Sequence, residues 1–257
     1  MSNRIANAFS NGKAFIGFVT GGDPSIEASE EFILAMAESG ADLIEIGIPF
    51  SDPIAEGPVI QAANIRALGA GVTVDRIFEL AAAVRAKTEV PLVFLTYLNP
   101  VFKRGYDSFF KRCAEVGADG VIIPDMPFEE QGEAKRFAQA HGIALISMVA
   151  PTSEQRVAEI AKSAEGFLYV VSSMGVTGVR GEIRTDLDAL IKPIRKHSAI
   201  PAAVGFGVST PRQAAEISRI ADGVIVGSAI VRIVEQYGKD AATHLRAYVS
   251  EMKSAME

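Results

Sequence analysis

Eight short apolar runs rich in Val, Ile and Phe, each bounded by turn residues and followed by a longer segment of helical periodicity, constrain this chain more than any other feature. They are AFIGFVT from Ala14, DLIEIGI from Asp42, LVFLTY from Leu92, GVIIPD from Gly120, ALISMVA from Ala144, FLYVVSS from Phe167, AAVGFGV from Ala202 and GVIVGS from Gly223. Near-continuous apolar runs of this length read as strands buried on both faces, and their alternation with helices implies a parallel sheet. The intervening segments, such as SIEASEEFILAMAESG and TPRQAAEISRIAD, repeat apolar residues every three or four positions beside charged ones, as amphipathic helices do. Eight such units predict a (β/α)8 TIM barrel, one α/β domain spanning residues 1–257. A doubly wound open sheet is the alternative. Against it, the first strand leads into Thr20-Gly21-Gly22-Asp23-Pro24 rather than a dinucleotide-type glycine fingerprint.

The punctuation agrees with the barrel. Asp23-Pro24-Ser25 and Ser209-Thr210-Pro211 supply capping residues or a first-turn proline, and Gly40-Ala41-Asp42 and Gly117-Ala118-Asp119 place a glycine after a helix and just before a strand. Ile220-Ala221-Asp222 is a degenerate third copy of that triplet, which hints at a repeated unit. Strand starts at 14, 42, 92, 120, 144, 167, 202 and 223 leave intervals of 50 residues after the second strand and 35 after the sixth. Both oversized connections are βα loops, which lie on the face where barrel active sites sit.

Composition narrows the partners. With 25 Lys plus Arg against 31 Asp plus Glu the net charge is −6, and 49% hydrophobic residues exclude a disordered chain. No basic run is longer than a pair, so there is no electrostatic footprint for nucleic acid, and small molecules or proteins are the expected ligands. Cys113 is alone, no Cys/His spacing suggests a metal, and a reduced, cytoplasmic setting is expected. The start MSNRIANAFSNGK has no apolar signal region, and no run approaches the length of a membrane span, so the chain reads as soluble and unprocessed.

Within the second strand, period two places Ile44, Ile46 and Ile48 on one face and Leu43, Glu45 and Gly47 on the other. If the isoleucines meet the helices, Glu45 points into the barrel. There a carboxylate is costly unless paired or protonated, which suits general acid/base work; a strand glutamate satisfied by a local donor is the plainer reading. The next segment, GIPFSDPIAEGP from Gly47, is stiffened by three prolines and returns a second acid, Glu56, toward the same mouth, although an ordinary solvated loop acid would look alike. Asp52, between serine and proline, is a turn residue by type. The sixth connection, from Ser173 to Gly181, is glycine-rich, as a mobile lid or a merely flexible loop would be. Gly205-Phe206-Gly207 and Gly227-Ser228 close the last two strands, where barrels of this kind form phosphate sites. No lysine lies in any strand, so an imine-forming nucleophile is missing, and His141, His197 and His244 fall in helical patterns away from strand ends. Asp125 and Tyr169 lie at or in strands four and six and could serve the site, or could cap and pack.

The segments FVTGGDP (18–24), IEIGIPFSDPIAEGPVIQAA (44–63), SSMGVTG (172–178), GFGVSTP (205–211) and VGSAIV (226–231) resemble the tryptophan synthase alpha chain family, collinearly over nearly the whole chain. That resemblance implies a lyase that splits indole-3-glycerol phosphate into indole and glyceraldehyde 3-phosphate. It implies no cofactor in this chain, and a beta-chain partner that carries pyridoxal phosphate, in an alpha2beta2 tetramer. By the same similarity Glu45 is the catalytic glutamate, and Glu56 takes the place of the family's second acid, usually an aspartate in an Ala-Asp-Gly triplet. The glutamate is a departure, since one extra methylene shifts the carboxylate by about a bond length. Tyr169 matches the site tyrosine; Gly178, Gly207, Gly227 and Ser228 match the phosphate cradle; Phe18, Leu95, Thr177 and Phe206 match the indole pocket and lid. The lid departs too, reading Ser173-Met174 where many members have arginine. The loop from Pro49 to Pro58 is the expected partner surface, with Asp52 as its contact.

Retro-aldol cleavage needs an electron sink. With no imine lysine and no metal, the indole ring itself serves: protonation at C3 makes it iminium-like, Glu56 stabilises the ring N–H, and Glu45 moves protons between C3 and the glycerol hydroxyl. Two other functions fit less of the motif set: a different barrel lyase or isomerase acting on a sugar phosphate, and an activating subunit whose own site is weakened by Glu56.

Overall fold

The computed structural model describes residues 4–172, 187–205 and 207–257. Its eight strands are β1 (Ala14–Thr20), β2 (Leu43–Gly47), β3 (Leu92–Leu95), β4 (Gly120–Ile122), β5 (Ala144–Val149), β6 (Leu168–Val171), β7 (Ala202–Gly205) and β8 (Gly223–Val226), all parallel and closed in sequence order, with β8 paired back to β1. The open-sheet alternative is thereby excluded. Twelve α-helices are described: α1 (Arg4–Ala8), α2 (Ile26–Glu38), α3 (Pro58–Gly69), α4 (Val74–Arg85), α5 (Leu98–Arg104), α6 (Tyr106–Glu115), α7 (Gln131–Ala140), α8 (Glu154–Ser163), α9 (Leu187–His197), α10 (Pro211–Ser218), α11 (Ser228–Tyr237) and α12 (Ala241–Ser254).

Local chemistry sets these boundaries. The Ser25 side chain accepts from Ala28 N–H to start α2, and Thr210 with Gln213 forms a capping box around Pro211 at the start of α10. Gly40 and Gly117 adopt φ of 104° and 75°, a conformation that turns the chain from helix toward strand at little cost only for glycine. The oversized connection after β2 holds two helices, α3 and α4. The one after β3 also holds two, α5 and α6, which interval length did not betray because both are short.

The repeated triplet has a structural cause. Asp42 Oδ2 accepts from Phe15 N–H at 2.7 Å, Asp119 Oδ2 from Leu92 N–H at 2.9 Å, and Asp222 Oδ2 from Ala202 N–H at 3.0 Å. Each aspartate precedes one strand and caps the start of its neighbour, so all three lie on the floor of the barrel. Each also meets a cation: Lys253 at 2.7 Å from Asp42, Arg85 at 2.9 Å and Arg4 at 3.2 Å from Asp119, Arg195 at 3.3 Å from Asp222. Helix α1 plugs this end. Ile5 joins the interior cluster with Leu43, Val93 and Ile122, and Phe9 packs on Phe167 with ring centroids 5.7 Å apart.

The apolar residues divide as the period-two reading of β2 requires. Ile44, Ile46 and Ile48 belong to the layer between sheet and helices, whereas Leu43 belongs to the barrel interior. The β2 register aligns Glu45 with Phe18 on β1 and Val93 on β3, one step nearer the mouth than Leu43.

Candidate active site

Glu45 points inward. It is 1% exposed, lines a cavity at the mouth of the barrel, and its Oε1 has no hydrogen-bond partner. Burial without compensation disfavours the charged form and pushes its pKa up to about 8. The plainer reading, a glutamate satisfied by a local donor, fails on this orphaned oxygen.

Glu56 reaches the same cavity from the loop that follows β2. It is buried, with Asn64 Nδ2 donating to its Oε2 at 2.6 Å and the Tyr97 hydroxyl donating to the same carboxylate. Burial raises its pKa to about 7, and the two donors, which favour the charged form, limit the rise. Gln61 Nε2 holds the Glu56 carbonyl at 2.8 Å, and Gly57 and Pro58 begin α3 immediately afterwards, so the acid is anchored on both sides. It is not a solvated loop residue.

The cavity encloses about 620 Å³, part of it open to solvent. Phe18, Leu95, Tyr169, Gly207, Gly227 and Ser228 all line it together with the two acids, so the structure brings into one place every expected site residue that it describes except Asp52. Tyr169 is fully buried, and burial and the Glu45 carboxyl hold its phenol protonated. Gly227 precedes the first turn of α11 without a side-chain cap, and both it and Ser228 line the cavity. Gly207 sits at φ 91°. Gly47, the next inward position after Glu45, must lack a side chain, because a Cβ there would lie 2.7 Å from the Phe18 ring. Thr177, Gly178 and Phe206 lie outside the described residues.

Asp125 takes the capping role: its Oδ1 accepts from Leu98 N–H at 2.8 Å at the start of α5. Asp52 is exposed at the mouth and accepts from the Ser51 hydroxyl. Sequence reasoning missed Tyr97, Asn64, Pro124 and Met148. Tyr97 could have been found, since it continues the inward phase of Leu95 two residues past the strand; Asn64 looks like any polar residue of an amphipathic helix.

Fold and site define a class: a (β/α)8 enzyme with two perturbed carboxyl groups facing an apolar pocket at the C-terminal mouth of its strands. A sequence profile of the family described as tryptophan synthase alpha chain matches residues 5–257. The chain is 46% identical over 257 residues to the tryptophan synthase alpha chain of Lacticaseibacillus casei, covering 100% of this chain and 97% of that one. It is 50% identical over 254 residues to that of Lactiplantibacillus plantarum, covering 98% and 96%. The crystal structure of tryptophan synthase subunit alpha from Legionella pneumophila superposes with a TM-score of 0.90 at 36% identity over 100% and 99% of the two chains. A chain of the a2b2 tryptophan synthase complex of Pyrococcus furiosus superposes with a TM-score of 0.88 at 34% identity, over 95% and 99%. The protein belongs to the tryptophan synthase alpha chain family.

Proposed function

We propose that Glu45 and Glu56 perform, in the cavity described above, the carbon–carbon cleavage of this family, the whole chain acting as one barrel domain. The alpha chain is a lyase of tryptophan biosynthesis: it cleaves indole-3-glycerol phosphate to indole and glyceraldehyde 3-phosphate, and it pairs with a beta chain, to which the pyridoxal phosphate belongs. Burial raises both acids but Glu45 further, so between about pH 7 and 8 Glu45 holds its proton more tightly than Glu56 does. That is the division of labour the reaction needs.

Glu45 gives its proton to C3 of the ring, which places positive charge on the ring nitrogen. Glu56 accepts a hydrogen bond from the ring N–H and stabilises that charge in a dry cavity, where such an interaction is strong. The Glu45 carboxylate then removes the proton from the glycerol hydroxyl next to the scissile bond. As the carbonyl forms, the electron pair of the breaking bond returns to the ring and restores indole. Tyr169, held protonated beside Glu45, donates hydrogen bonds within the site. Phe18 and Leu95 form apolar wall for the ring. Gly207, Gly227 and Ser228 take the phosphate through backbone N–H groups and the start of α11, and this remote anchoring supplies binding energy away from the reacting atoms.

The orphaned Oε1 of Glu45 inside the barrel carries this reading. Indole release by Glu45→Gln in the presence of the beta chain tests it: we expect a loss of ~10²–10⁴-fold, and near wild-type turnover would remove Glu45 from the chemistry. Release of indole from indole-3-glycerol phosphate in the same assay would exclude a sugar-phosphate isomerase and a purely activating subunit. We assign the partner surface to the mouth around Asp52, where the neighbouring Ile54 is 73% exposed, an apolar side chain that a protein partner would cover. No helix among the described residues is long and apolar enough to cross a membrane. The biosynthetic role supports assigning the protein to the cytoplasm.

A further inference from the structure

The acid at position 56 is clamped more elaborately than a simple acceptor of a ring N–H requires. Asn64 is buried on α3, two turns beyond Glu56, on the face it shares with Ile60, Ala63 and Ala67. A carboxylate can only accept, so the atom at 2.6 Å from Oε2 is the amide Nδ2, and the bond exists only with that end of Asn64 turned toward the acid. Tyr97, buried at the start of α5, accepts from Ala55 N–H at 3.1 Å, stacks on Phe50 with centroids 5.2 Å apart, and spends its own O–H on the Glu56 carboxylate. Two of the roughly four lone-pair directions of the carboxylate are thus occupied by fixed donors from two different elements. What remains faces the cavity.

We propose that Asn64 is a positioning residue for the ring-side acid: together with Tyr97 it fixes which edge of the Glu56 carboxylate meets the substrate's ring N–H, and its reach is fitted to glutamate rather than aspartate at position 56. This rests on the reading of Glu56 as the acceptor of that N–H. Removing one methylene draws the carboxyl back by about 1.5 Å, one carbon–carbon bond, which takes a 2.6 Å bond beyond hydrogen-bonding range. The backbone cannot follow freely, because Gln61 holds the Glu56 carbonyl and Pro58 begins the helix directly after it. The glutamate at the family's aspartate position is therefore answered inside this chain by where α3 sets its amide. The same bond favours the charged form of the acid and limits the rise of its pKa. The other ionisable groups facing this cavity are Glu45, Tyr97 and Tyr169, and no Lys, Arg or His among the described residues lines it, so donors alone offset the burial of Glu56.

The test compares wild type, Asn64→Ala, Asn64→Asp, Glu56→Asp, Glu56→Asp with Asn64→Gln, and Glu56→Gln, each with the beta chain, by kcat/KM for indole release against pH and by thermal melting. Asn64→Ala is expected to lose on the order of 10- to 100-fold and to move its acid limb to higher pH, because Glu56 loses a donor that favours its charged form. Asn64→Asp, closest in shape to the original, serves where the alanine variant does not melt as a folded protein, and its like charge moves the acid limb the same way. Glu56→Asp loses a comparable amount, and the added Asn64→Gln, one methylene longer, restores most of it. A wild-type acid limb in folded Asn64→Ala or Asn64→Asp would overturn the positioning role. Folded double variant no better than Glu56→Asp alone would overturn the fit of amide to acid. Glu56→Gln separates the two layers: if it keeps wild-type turnover, the assignment of Glu56 itself falls, whereas an inactive Glu56→Gln beside a wild-type-like Asn64→Ala condemns Asn64 only.

Discussion

The floor and the mouth of this barrel both bury carboxyl groups, and they treat them oppositely. On the floor Asp119 is met by Arg85, Arg4 and the Leu92 N–H, and Asp42 and Asp222 each receive a backbone donor and a cation. At the mouth Glu45 has an oxygen with no partner, and Glu56 has donors but no cation. The same side-chain chemistry holds strand ends together at one end and, at the other, leaves two acids with raised pKa values. Burial without a neutralising cation is what marks the mouth acids as candidates for proton transfer.

Removing the partnership at the floor breaks the comparison most severely. Asp119→Ala leaves Arg85 part-buried and unpaired and the start of β3 uncapped, and is expected to cost ~3–5 kcal/mol, read from urea unfolding, while activity per folded molecule stays near wild type. An activity loss larger than the loss of folded protein would show that the floor also shapes the site. Glu45→Gln works in the other direction. The folded-state pKa of Glu45 lies above its unfolded value, so the native protein holds a proton that the unfolded chain has released, and stability falls as pH rises from about 4.5 to about 8. The amide removes that penalty: the variant should match wild type near pH 4.5 and exceed it by up to roughly 4 kcal/mol at pH 8. A constant difference across that range would mean that Glu45 does not titrate in the folded state.

A third measurement sharpens the contrast between the two mouth acids. Activity needs Glu56 ionised and Glu45 protonated, so kcat/KM should trace a narrow bell with its maximum between about 7 and 8, falling up to ~10-fold per pH unit outside that window. A flat profile from pH 6 to 9 would contradict the assignment. The smallest effect is expected on the rim. Asp52→Ala should weaken binding of the beta chain by a few-fold or up to ~10-fold, with the greater effect at low salt, and leave the melting temperature of the isolated chain unchanged.

Much of this was legible in the chain. Period two in DLIEIGI turned Glu45 inward and the isoleucines outward, because a strand admits only two phases and one of them must face the helices. The Gly-Ala-Asp triplets marked repeated helix-to-strand junctions, whereas the capping of a neighbouring strand by each aspartate, which sets them on the floor, shows only in the fold. Asn64 was not legible as a site residue, and Tyr97 was legible only as an inward phase continued past β3. That both meet one carboxylate depends on how two separate βα connections fold back over it, a relation that no periodicity within either segment encodes. Asp125 fitted two roles in the sequence, and only the Leu98 N–H beside it decides between them.

Gly47 couples reaction to fit. Any substituent there would drive the Phe18 ring across the chamber, narrowing the room left for a bicyclic guest. Two neighbouring inward positions on a single strand thus join the proposed proton donor and the width of the chamber. A lineage that sought bulkier aromatic guests would have to remodel Phe18 or the opposite wall, since β2 has no atom left to give up.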